Sequence, residues 1–141
     1  MKFVLTTGPQ AVGKMTVRQE LSKNEKGLIF TTTWEFDRKD EWNRIYSYFD
    51  IFKKHNAEIY IVELEATLEE MLKRNITENR LNYKASKRDL EWSKNDVLKS
   101  EEKYRFNSKD GEIKEKNYIK INNEKISAED TAKIIKEKFE L

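Results

Sequence analysis

One stretch, Gly8-Pro9-Gln10-Ala11-Val12-Gly13-Lys14-Met15-Thr16, constrains this chain more than any other feature of it. It follows the apolar run Phe3-Val4-Leu5-Thr6-Thr7 and leads into Val17, Glu20 and Leu21, which fall at helical spacing. Strand, glycine-bounded loop and helix in that order make a phosphate-binding loop. The glycines let the backbone curl so that successive N–H groups can point at phosphate oxygens. The helix adds the positive end of its dipole. Lys14 then reaches the β- and γ-phosphates as a mobile point charge. Of the 4 glycines in 141 residues, Gly8 and Gly13 fall here, so the pattern is no by-product of a glycine-rich composition. The nucleotide contacts it predicts are Gly8, Gln10, Ala11, Val12, Gly13, Lys14, Met15 and Thr16.

One position departs from the usual pattern. A Ser or Thr ordinarily follows the lysine and ligates Mg²⁺ through its hydroxyl. Here Met15 stands there and Thr16 comes next. The order resembles the Gly-Lys-Gly-Thr loop of adenylate kinases and other small P-loop kinases. That resemblance implies that Thr16 faces the α-phosphate, with the metal held through waters and a distant carboxylate. Thr16 and Asp37 are the candidate metal-side residues.

The composition narrows the class. A chain of 141 residues has room for one core and one domain. Charged residues (38%) slightly outnumber hydrophobic ones (37%), so the surface is heavily solvated. A net charge of +2 implies no global attraction to nucleic acid or anionic membrane. The lack of cysteine removes disulfide and thiol chemistry and fits the cytoplasm. The start runs straight into a strand without a signal-peptide pattern, and no apolar run reaches membrane-spanning length.

Taken in order, the chain alternates strands and helices. Residues 2–7 read as a buried parallel strand, 14–23 as a helix and 28–33 as a β-branched, aromatic strand. Asp37 reads as the N-cap of a helix whose Trp42, Ile45, Tyr46, Phe49 and Phe52 recur at helical spacing. His55, the lone histidine, falls at the end of that helix as a solvated residue. Ile59–Leu64 is the strongest strand pattern, and Thr67-Leu68-Glu69-Glu70 spells a capping box. Ser86 with Asp89 and Ser93 with Asp96 read as further caps, and Leu90, Val97, Leu98 and Tyr104 as an apolar face. Asp110-Gly111 marks a turn, 118–121 a last strand, and Ser127 the cap of a final helix with Ala128, Ala132, Ile135 and Phe139 inward. The fold class is therefore α/β, a parallel sheet covered on both sides in a three-layer α/β/α sandwich. Ligands in such sheets sit at the carboxyl ends of the strands. This gathers the 8–16 loop, Thr33–Asp37, the stretch after Leu64 and the turn Asn122-Asn123-Glu124 at one place.

Across these residues the chain resembles small P-loop kinases of the shikimate/adenylate kinase type, and within them a group of uncharacterised bacterial kinase-like or AAA-family ATPases. The carriers are the 8–17 loop, Val62-Glu63-Leu64-Glu65-Ala66, Leu72-Lys73-Arg74-Asn75, Thr77-Glu78-Asn79-Arg80-Leu81, Ser86–Ser93 and Tyr118–Asn123. The resemblance implies a P-loop NTPase fold with a helical lid-like segment at about 73–110, and ATP and Mg²⁺ as cofactors. It makes Arg74, Arg80 and Arg88 lid arginines and puts Asn123 beside the nucleobase. Asp37 is then either a helix cap or a carboxylate that holds metal-bound water or takes the acceptor's proton. Trp34 and Phe36 either line the pocket or belong to the core. The kinases carry a further strand–helix unit after the first helix. Here the chain passes from Asn24 to Gly27 at once, so that unit is absent or the sequence closes over it.

The expected function is transfer of the γ-phosphate of ATP to a small-molecule acceptor, with Lys14, Asp37, Arg80 and Arg88 as catalytic candidates. Two alternatives stay open: a non-catalytic nucleotide-binding module, and a nucleic-acid end kinase. The last draws on residues 73–88, where six basic side chains meet one acid and the segment carries +5 against +2 for the whole chain. That run reads as a lid, a solvated basic face or a nucleic-acid patch.

Overall fold

The computed structural model describes residues 1–24, 27–76 and 89–141. In chain order these form β1 (Lys2–Thr7), α1 (Lys14–Leu21) with a 3-10 turn at Ser22–Asn24, β2 (Leu28–Thr31), α2 (Lys39–Lys54) and β3 (Glu58–Glu65). Then come α3 (Leu68–Asn75), α4 (Leu90–Lys103), β4 (Tyr118–Asn122) and α5 (Ala128–Phe139). The strands make one 4-stranded sheet in the order β2-β1-β3-β4, and every neighbouring pair is parallel.

Alternation along the strands divides the interior in two. Val4, Tyr60, Val62, Leu64 and Ile121 pack with Val17 and Leu21 of α1 and with Ala132, Ile135 and Phe139 of α5. Phe3, Leu5, Ile59 and Ile61 point the other way, toward Ile45 and Phe49 of α2 and toward Trp34 and Phe36. Successive side chains of a strand face opposite sides, so β1 and β3 must be apolar at nearly every position. Full burial of a residue such as Leu5 or Ile61 contributes about 1.5–3 kcal/mol, more than a surface ion pair does. The core therefore forms despite the charged composition. The result is an α/β arrangement compatible with three layers. Trp34 and Phe36 are core residues, stacked at 4.6 Å between ring centroids.

Among the described residues no strand–helix unit lies between α1 and β2, and β2 pairs directly with β1 as an edge strand. Residues 25 and 26, at the join, lie outside the described residues, as do Arg80, Arg88 and the Ser86 cap. Among the described residues no helix is long and apolar enough to cross a membrane.

Tertiary contacts overrule two of the expected caps and leave the reciprocal half of a third unmade. The N-cap of α2 is Arg38, without a side-chain cap bond. Asp37 instead accepts a hydrogen bond from the Arg105 amide at 3.2 Å, while Phe36 N donates to Arg105 O at 2.8 Å. The chain after α4 has claimed the carboxylate. Ser93 is buried inside α4 and pairs with Asn75 of α3; the cap of that helix is Asp89, which accepts from Trp92 N at 3.0 Å. Leu90, expected inward, is exposed. Thr67 does cap α3, accepting from Glu70 N at 3.3 Å, but Glu70 does not complete the box. Its carboxylate pairs with Arg74, and Glu124 accepts from both the amide and the hydroxyl of Thr67. Ser127 caps α5 as expected.

Candidate functional site

The loop between β1 and α1 is held open by backbone geometry. Gly8 has φ +145° and Gly13 φ +96°, and Ala11 joins them at φ 58°. At Gly8 a side chain is excluded twice over, because a Cβ would lie 2.5 Å from the Leu64 carbonyl oxygen. Val12 and Ala11 anchor the loop by turning their side chains into the core. Among the described residues, nothing accepts a hydrogen bond from the amides of Ala11, Val12, Gly13, Met15 or Thr16. Unclaimed amides at a left-handed turn that opens a helix favour an anion.

The loop is braced from outside. Arg74 of α3 and Asn123, just past β4, both donate to the Val12 carbonyl, at 3.1 and 2.7 Å. They also hold one another: Arg74 donates to Asn123 Oδ1 at 3.0 Å and to its carbonyl at 2.7 Å. Glu70 accepts from Arg74 Nε at 2.9 Å. The arginine expected to close over the triphosphate, and the asparagine expected beside the base, thus meet at the loop's backbone. A Cβ on Gly13 would come within 3.3 Å of the Asn123 side chain, which shows how closely the brace fits.

Lys14 curls back, donating to the carbonyls of Gly8 and Pro9 at 2.6 Å each. Thr16 Oγ1 donates to Gly13 O at 3.2 Å. The last turn of α4 covers this end of the loop, with Gln10 Nε2 donating to Ser100 Oγ at 3.2 Å. Glu101, next to Ser100, has its Oε1 shielded from solvent without a hydrogen-bond partner. Burial raises its carboxyl above the usual range, and the Lys14 ammonium pulls it partway back. The Thr6 and Thr7 hydroxyls, at the end of β1, are also buried without partners.

A second carboxylate lies one strand away. Glu63 of β3, paired in register with Thr7, is fully buried. Its Oε1 accepts from Asn107 Nδ2 at 2.9 Å and Ser108 N at 2.7 Å, and its Oε2 from Ser108 Oγ and Tyr118 OH at 2.6 Å each. Burial and the adjacent Glu63 push the Tyr118 phenol well above its ordinary range. Asp37 is exposed at the same end of the sheet, on the segment leading out of β2.

Glu63, Ser100 and Glu101 are the residues that reading the sequence passed over as individuals. A charged residue inside a doubly buried strand is a signal that could have marked Glu63. Glu101 gives none, since Lys99-Ser100-Glu101-Glu102-Lys103 reads as a solvated helix end. Among the described residues no group of three or more His, Cys, Asp or Glu side chains could hold a metal ion. Searches against family models, curated proteins and solved structures find no match to this chain.

Proposed function

We propose that this chain is an ATP-binding P-loop protein that moves the γ-phosphate of ATP to a small-molecule acceptor. The observation that carries the reading is the 8–16 loop: positive φ at Gly8, Ala11 and Gly13, unclaimed amides and Lys14 within the same curl. Bound phosphates would replace the Gly8 and Pro9 carbonyls as partners of Lys14, and the loop amides would take the remaining oxygens. The similarity of Gly13-Lys14-Met15-Thr16 to the loop of small P-loop kinases supports the same conclusion.

The fit to Mg²⁺ is narrower. Thr16 bonds to its own loop, and one oxygen of Asp37 serves the Arg105 amide. These residues do not make a cage, so the ion would arrive with the nucleotide, held by phosphate oxygens and waters with Asp37 as the outer carboxylate. When bound it would offset charge on the transferred group. A non-catalytic nucleotide switch is the second reading, favoured by the complete engagement of Glu63 in hydrogen bonds.

Lys14→Ala is the test. The loop is held by Val12, Arg74 and Asn123, so the variant should keep its fold and lose about 10- to 100-fold in ATP affinity by calorimetry. Unchanged affinity would end the P-loop reading.

A further inference from the structure

Among the described residues, the carboxylates at the carboxyl end of the sheet and over the loop differ in how far their oxygens are engaged. Glu63 has both oxygens engaged by donors. Asp37 is exposed, with one oxygen on the Arg105 amide. Glu101 differs from these, having an oxygen that is shielded from water and has no hydrogen-bond partner among the described residues.

Its position is unfavourable on two counts. It lies in the last turn of α4, where the helix dipole presents its negative end to a carboxylate. It is also desolvated, and a buried polar atom without a partner costs free energy that folding must recover elsewhere. A helix end with no task would place such a residue outward, as Glu102 and Lys103 are. The Ser100–Gln10 hydrogen bond nevertheless fixes this turn onto the phosphate-binding loop, within the electrostatic reach of Lys14.

We infer that Glu101 is a catalytic residue, the group that receives the acceptor's hydroxyl proton during phosphoryl transfer. The inference rests on the P-loop reading and assigns the base which that reading leaves open. In the step, a lone pair of the acceptor oxygen attacks the γ-phosphorus of ATP. The bond from that phosphorus to the β–γ bridging oxygen breaks, its electron pair leaves with ADP, and the hydroxyl proton passes to the carboxylate of Glu101. Lys14 would hold the β- and γ-phosphates and offset the charge that develops on the departing ADP. Burial makes the carboxylate a stronger base than an exposed one, and its unclaimed oxygen leaves a place for the proton.

The experiment uses Mg·ATP with water as the acceptor, following phosphate release, together with calorimetric Mg·ATP binding and thermal melting. Wild type, Glu101→Gln and Glu101→Asp are compared. Glu101→Gln should release phosphate about 100-fold more slowly while its affinity stays within about threefold of wild type or tightens. Its melting temperature should hold or rise, because an unpartnered buried charge has been removed. Glu101→Asp should recover part of the turnover. Turnover of Glu101→Gln within about threefold of wild type would overturn the assignment, as would a loss that comes with weaker binding and a lower melting temperature. Wild type that binds Mg·ATP yet releases no phosphate would overturn it and leave the binding reading standing. Wild type that does not bind Mg·ATP would overturn both.

Discussion

Two ends of neighbouring strands treat buried acid in opposite ways. At the end of β3, the Glu63 carboxylate is enclosed by the segment that follows α4, and four donors within 2.9 Å satisfy it. At the end of β1, the Gly8–Thr16 loop leaves amides unclaimed, and the carboxylate placed over it, Glu101, keeps an oxygen without a partner. The first arrangement is what stability favours, since each satisfied bond offsets the cost of burying charge. The second costs stability and is retained beside a loop whose geometry suits phosphate. Saturation marks Glu63 as structural, and the unmet demand at Glu101 is the feature on which the proposed proton transfer rests.

Substitutions can break or sharpen this contrast. Glu63→Gln should have the largest effect, because the amide brings hydrogens toward groups that already donate. It should cost about 2–4 kcal/mol and lower the melting temperature by roughly 10 °C. ATP affinity, measured where the variant is still folded, should change little. A melting temperature near wild type would erase the distinction between the two acids.

Arg74→Ala probes the loop from the outside. It deletes a guanidinium that ties Val12, Asn123 and Glu70 together, and should weaken ATP binding by about tenfold through the loop's shape, with a moderate loss of stability. Calorimetry showing wild-type affinity would mean that Asn123 braces the loop unaided. Tyr118→Phe is the mildest of the three. Glu63 Oε2 keeps its bond from Ser108 Oγ, so the loss should be about 1 kcal/mol, a few degrees in a melting curve, with nucleotide binding untouched. A drop as large as that of Glu63→Gln would show that the phenol organises the whole cluster.

Local chemistry was enough to read much of this molecule. Apolar runs at 3–5 and 59–64, a helical period from Trp42 to Phe52 and the Ser127 cap are each patterns carried by residues close together in the chain, and each element appears where expected. The loop was equally legible, because positive φ at Gly8 and Gly13 needs the residue that permits it. What tertiary structure alone decided is where polar side chains spent their hydrogen bonds. Asp37 left its helix for the Arg105 amide, Glu124 took the role Glu70 was expected to fill for Thr67, and Ser93 turned inward to Asn75. Arg74 and Asn123, 49 residues apart, converged on the Val12 carbonyl. Partners so distant in the chain leave no periodicity, and an exposed-looking glutamate such as Glu101 becomes distinctive only when packing removes its water.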